Sequence, residues 1–269
     1  MSQQLKGQVA VVTGASRGIG RGIALGLGQA GATVYVTGRT LQKGMSKWPG
    51  TITATSQEVT NLGGQGIAVH CDHRNDSEVE AAFKRVRDEQ NHLDILVNNA
   101  TSFGETPGSR GYDPEEPFWT LPISQWDEIL DVGLRSYYVA SLLAARMMTL
   151  RQGGIIVNIS SGGAMQYTGN VAYGVGKAGV DKLSADMAHQ LRQYKIASIA
   201  LWPPLTRTEK IMAFKENYDL KKSYSPLFTG LAVAALASDP KILEKTGKSF
   251  RVTDLAAEYG FSDTISALA

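Results

Sequence analysis

The chain has 269 residues, 43% hydrophobic and 19% charged, a globular composition able to bury a core. Its formal net charge of +2, with no run of basic residues to concentrate it, gives no ground for nucleic acid or an anionic membrane surface as a partner. One cysteine, Cys71, excludes an internal disulfide framework and fits a reducing compartment.

Short β-branched runs alternate with longer helical patterns from end to end. That alternation predicts an α/β fold, a Rossmann-type doubly wound sheet of seven mainly parallel strands with helices on both faces, in three layers. Strands are expected at 8–13, 33–37, 66–71, 94–99, 154–160, 197–202 and 249–252, and helices near 18–30, 52–63, 76–91, 124–149, 171–194 and 226–238. No linker or repeat divides the series, so one domain over 1–269 is expected, with variable loops near 40–52, 101–121 and 203–226. The N-terminus "MSQQLKGQVAVVTG" enters the first strand without the regions of a signal peptide, and the longest apolar run, 231–237, is too short to span a bilayer. The expected location is intracellular, in the cytoplasm.

In chain order, the first strand runs into "TGASRGIG", where Gly14, Gly18 and Gly20 let the backbone approach a pyrophosphate at the positive end of a helix. Ser16, Arg17 and Ile19 lie between these glycines. NAD enzymes tend to place an acidic residue at the end of the second strand, but here that end reads "VTGRT". Arg39 and Arg17 are suited to clamp a 2′-phosphate, which points to NADP(H). Cys71 ends the third strand and reads as a small core residue. The predicted helix at 124–149 contains Gly133, a residue that costs roughly 1 kcal/mol in a helix interior relative to alanine. The fifth strand ends in Ser160 and Ser161, either able to present a hydroxyl to a substrate oxygen. In "AYGVGKAG" Tyr173 and Lys177 stand one helical turn apart. A phenol ionises near 10, and a neighbouring ammonium favours its anion. The four histidines show no metal-ligand spacing, so no metal site is expected. Trp119, Trp126 and Trp202 suit either the substrate cavity or packing beneath a loop.

With "NNA" after the fourth strand, "ISS" after the fifth, "YGVGK" on the next helix and "WPPLTRTE" after the sixth, the chain resembles the short-chain dehydrogenase/reductase family over nearly its whole length. The resemblance implies NADPH-dependent reduction of a ketone or aldehyde, steroid-like or another hydrophobic carbonyl, by hydride transfer. It implies that Tyr173 donates the proton, and that Lys177 lowers the tyrosine's pKa and holds the nicotinamide ribose. It further implies that Asp72 binds the adenine and that Asn98 and Ala100 line the nucleotide cleft. Pro203 joins the cofactor-binding set, and Thr208 holds the carboxamide. For the polarising serine, the strand ends select Ser161 and the family's usual interval to the tyrosine selects Ser160. Ser161 is preferred, because losing one loop residue is easier than shifting a strand's register.

Two positions depart from the family pattern. Pro204 replaces a glycine, stiffening the loop and removing an amide. Gly133 replaces an asparagine whose backbone carbonyl holds a water beside the lysine. Two explanations stand open for it: a bulge that frees the carbonyl, or room for a neighbouring helix. These departures motivate a second reading, an NADP(H)-binding sensor or scaffold without turnover. Family members pair through the helices at 124–149 and 171–194, implying a homodimer or homotetramer.

Overall fold

The computed structural model describes residues 3–102 and 116–263. Along the chain these form β1 (Val9–Val12), α1 (Gly18–Gln29), β2 (Thr33–Gly38), α2 (Ile52–Asn61), β3 (Gln65–His70), α3 (Asp76–Gln90), β4 (Ile95–Asn98), α4 (Ile123–Leu130) and α5 (Ser136–Arg151). There follow β5 (Gly154–Ile159), α6 (Val171–Leu191), β6 (Ile196–Trp202), α7 (Glu209–Ala213), α8 (Pro226–Ser238), β7 (Ser249–Arg251) and α9 (Val252–Tyr259). The seven strands join one sheet in the order β3-β2-β1-β4-β5-β6-β7, and every pairing is parallel.

Both sheet faces are covered, which is why the strands read as continuous apolar runs. In β1, Ala10 and Val12 join a core cluster with Ile23 and Leu27 of α1 and Phe228 and Leu236 of α8. Val9 and Val11 point the other way, into a cluster with Phe83 of α3, Ala144 and Met148 of α5 and Ile156 of β5. Helices α1 and α8 approach so closely that a Cβ on Gly22 would overlap the Pro226 carbonyl, and one on Gly230 would overlap the Gly22 carbonyl. Strand order reverses between β1 and β4, and in such sheets the crevice beyond the strands' carboxyl ends at this point is where ligands bind.

The structure departs from the predicted elements in three places. The helix expected at 124–149 is interrupted by a π-helical turn, Asp131–Arg135, centred on Gly133. Helix α7 lies inside a segment expected to be loop. Helix α9 follows β7 without a linker and stops at Gly260, which takes the left-handed conformation at φ 71°. Most of the expected 101–121 loop lies outside the described residues; its described end carries a 3-10 turn, Phe118–Thr120. Among the described residues, no helix is long and apolar enough to cross a membrane.

Candidate active site

The chain leaves β1 through a turn that only a residue without a side chain can make. Gly14 has φ 64°, and a Cβ there would stand 2.7 Å from the Ala100 Cα. The end of β4 is pinned onto this turn: Thr13 Oγ1 accepts from the Asn99 N–H at 2.8 Å and the Ala100 N–H at 3.0 Å. The Asn99 side chain then donates to the carbonyls of Thr13 and Gly14 at 2.9 and 3.1 Å.

A cavity of about 240 Å³ opens beside these groups. Of the predicted cofactor residues, Gly14, Ser16, Arg17, Gly18, Ile19, Gly20, Arg39, Asp72, Ala100 and Thr208 line it. Asn98 does not. Strand alternation turns it inward, fully buried, where its amide donates to Asn158 Oδ1 at 2.8 Å and Ser141 Oγ at 2.9 Å. The asparagine in the cleft is Asn99. Pro203 also lies elsewhere, in a separate hollow with Met165, Gln166 and Arg251. The Pro204 carbonyl accepts from the Thr206 hydroxyl at 2.8 Å, closing a tight turn ahead of Thr208. Thr208 Oγ1 caps α7 by accepting from the Ile211 N–H at 3.3 Å.

The cleft suits a dinucleotide on two observations. Its glycine cradle leaves no space for a Cβ at Gly14 or Gly20, and an anion from the chain itself already rests there: Glu209 Oε2 accepts from the Gly18 N–H, at the N-terminus of α1, at 2.9 Å. Arg17 is held at the rim by loop 40–52, its guanidinium donating to Pro49 O, Thr40 Oγ1 and Gly50 O at 2.9, 3.0 and 3.2 Å. Half-buried Arg39 projects its charge onto Asp72 and His73. Burial works against the charge of Asp72, but hydrogen bonds from Arg74, with the fields of Arg74 and Arg39, bring its carboxyl below the usual range. Trp48, Lys210, Val132 and Thr101 also line the cleft, residues that no sequence motif marked.

Farther along the sheet, β5 and α6 bring the predicted catalytic set together. Asn170 caps α6 by accepting from the Tyr173 N–H at 2.8 Å. Ser161 Oγ accepts from the Gly163 N–H at 3.1 Å and lies with the Tyr173 ring against Gly163. Ser160 is buried and donates instead to the backbone carbonyl of Lys177 at 3.1 Å, so the structure brings Ser161 to the tyrosine.

Lys177 is buried, and its Nζ donates to the Ile159 carbonyl at 2.8 Å. The ammonium lies 5.6 Å from the Tyr173 ring centroid and 5.8 Å from that of Tyr137, a second tyrosine that the motifs did not identify. Burial brings the Lys177 amine down to about 8 while Asp181 opposes the fall. The expected lowering of the tyrosine by Lys177 is not found. Burial raises the Tyr173 phenol, and Ser161 is what pulls it back. The lysine amine donates to the Ile159 carbonyl and lies over the tyrosine's ring.

Gly133 does not serve close helix packing. A Cβ there would meet only Thr101 Oγ1, at an ordinary 3.9 Å. The close approach between these helices falls at Gly179 instead, where a Cβ would come 2.8 Å from Leu134 Cδ2. Cys71 is a core residue as expected, its thiol pushed up to about 12 by burial and by Glu78 and Asp72. Trp202 donates to Asp181 at 3.1 Å, Trp126 lines an apolar hollow with Phe118, Val171 and Ala172, and Trp119 is 74% exposed.

The family model of short chain dehydrogenases matches residues 8–219. The chain belongs to the short-chain dehydrogenase family. Dehydrogenase/reductase SDR family member 1 from Mus musculus and from Homo sapiens are 44% and 45% identical to it, covering 98% of this chain and 85% of each relative. Among solved structures, a metagenomic short-chain oxidoreductase in complex with NADP superposes with a TM-score of 0.73 at 28% identity, covering 92% of this chain and 98% of that one. Membership of the short-chain dehydrogenase family makes the chain an oxidoreductase by descent and accounts for the all-parallel, doubly wound sheet.

Proposed function

We propose that this protein is an NADPH-dependent reductase of a ketone or aldehyde with a hydrophobic body. The observation that carries the reading is the cluster at the end of β5: Ser161 and Tyr173 side by side at Gly163, with the Lys177 ammonium against the tyrosine ring. Burial keeps the Tyr173 phenol protonated at neutral pH, so it acts as the acid. Ser161 presents its hydroxyl to the substrate oxygen, and Tyr173 delivers a proton to that oxygen as the carbonyl becomes an alcohol. The nicotinamide, when bound, supplies the hydride. Lys177 keeps a positive charge beside the site. The glycine cradle would hold the pyrophosphate, and Arg17 and Arg39, both lining the cleft, favour a 2′-phosphate over a bare ribose. The NADP-bound relative supports the same preference. The hollow of Phe118, Trp126 and Val171, which includes the start of the helix that carries Tyr173, supports a hydrophobic substrate. Tyr138 and Leu150 on α5 and Val175 on α6 are exposed and suit assembly into a homodimer or homotetramer, which sedimentation checks.

The test is a fluorescence titration with NADPH and NADH followed by a panel of aldehydes and ketones. NADPH is expected to bind at least about tenfold tighter, a preference that Arg39→Leu removes, equivalent to roughly 1.4 kcal/mol. Tyr173→Phe is expected to abolish turnover and keep cofactor binding. Full activity of that variant, or no turnover on the panel, overturns the proposal; tight NADPH binding without turnover would leave a binding role alone.

A further inference from the structure

We propose that Tyr137 is a positioning residue for Lys177, its ring forming the second wall of an aromatic cage that holds the lysine ammonium in place at the catalytic tyrosine. The inference rests on the reading of Tyr173 and Lys177 given above and adds to it a residue outside the motif set.

Tyr137 is fully buried on α5, one turn beyond Gly133. The Lys177 ammonium lies between two rings, 5.6 Å from the Tyr173 centroid and 5.8 Å from the Tyr137 centroid. Both are within the distance at which an aromatic face attracts a cation. The Tyr137 hydroxyl donates to the Ile159 carbonyl at 3.3 Å, the same oxygen that accepts from Lys177 Nζ at 2.8 Å. The carbonyl thus anchors the lysine and the second ring together. An ammonium has three donors, and among the described residues the only hydrogen bond from this one goes to Ile159. A ring face adds to the stabilisation of such a charge out of water.

The groups facing the ammonium come from three elements: Tyr173 and Asp181 on α6, Tyr137 on α5 and the Ile159 carbonyl ending β5. Asp181 supports the positive charge through space, its own carboxylate being held by Trp202. Gly133 brings no side chain to this helix at the π turn, and the tyrosine one turn on supplies the contact to the lysine.

The deciding experiment replaces Tyr137 by phenylalanine and then by mono-, di- and trifluorophenylalanine. These side chains keep the ring's shape while draining its negative face. Titration of Lys177 is followed by NMR of carbon-13-labelled lysine, with Lys177→Met assigning the signal. Phenylalanine should leave the titration near that of the parent. Progressive fluorination should lower it stepwise, by about one pH unit at the end of the series. Tyr137→Leu should show a similar drop. The alkaline limb of carbonyl reduction should move to lower pH by the same amount, with kcat falling more than KM rises. A flat fluorination series overturns the proposal, as does a drop in Phe as large as that in the trifluoro variant, which would assign the effect to the hydroxyl. Should no carbonyl be reduced, the proposed function falls while the lysine titration still decides this inference.

Discussion

Lys177 shows most directly how function is set against stability. Its amine falls from the usual 10.5 to about 8 because it is buried, so the folded protein holds that proton less tightly than the unfolded chain does. The resulting contribution to stability is fully present above about pH 10.5 and is lost as pH falls through 8. At neutral pH the buried cation therefore costs stability, up to roughly 3 kcal/mol for a shift of this size. Lys177→Met should melt about 2–5 °C higher than the parent at pH 7 in calorimetry and be inactive, with the gap closing above pH 10. Glu209 gives a second test at this scale. Its carboxylate takes the Gly18 amide that a pyrophosphate would need, so the two compete. Glu209→Gln should bind NADPH several-fold tighter by fluorescence titration; unchanged affinity would mean that the carboxylate swings away at no cost. Gly14, Ser161, Tyr173 and Lys177 were legible in the sequence because each belongs to a spaced motif with a chemical purpose. Glu209 was not, because nothing local links it to a glycine 191 residues away. The "NNA" run named the right element but the wrong amide, since one of two adjacent asparagines must face inward and only the pairing with β5 shows which.

Among the elements, the helix spanning Gly133 carries the sharpest difference between expectation and structure. A continuous helix was expected and a π turn separates α4 from α5. Such turns insert one residue into the ladder and free a carbonyl, a distortion that glycine tolerates. With open space at its Cβ and no positive φ, Gly133→Ala should stabilise the protein by about 0.5–1 kcal/mol. Gly22→Ala should do the opposite, by about 1–3 kcal/mol, because its methyl would overlap the Pro226 carbonyl between α1 and α8. Paired thermal unfolding of the two variants checks both; equal effects would show that backbone contacts do not distinguish them. Both glycines sit in helical patterns, and sequence cannot separate them because the difference lies in a neighbouring element. Helix α9 did leave a sequence signal, with Val252, Leu255, Ala256 and Tyr259 at helical spacing before Gly260, but the β-like run at 249–252 overlaps its start.

For the whole molecule, pH sensitivity follows from what the sheet buries. His73 sits at the cleft, its Nε2 2.8 Å from Thr37 Oγ1, and burial brings it from the usual 6.5 to about 4. Because the unfolded chain takes up this proton first, the stability it contributes is present above pH 6.5 and is lost as pH falls toward 4. Denaturant titrations across that window should show stability falling, and His73→Leu should flatten the slope. An identical slope in the variant would assign the loss to the carboxylates.

The sequence by itself determined the fold class and the succession of seven strands along the chain, and it marked the glycine loop and the Ser161, Tyr173 and Lys177 set. These are written in periods of two and 3.6 residues and in short spacings that local geometry enforces. The tertiary structure decided which asparagine faces the cleft, which carboxylate rests on the anion site, how the ammonium is enclosed by two rings, and why two helical glycines differ. Each of these depends on atoms from distant parts of the chain meeting across the β1–β4 reversal or between packed helices, and no local spacing encodes that meeting.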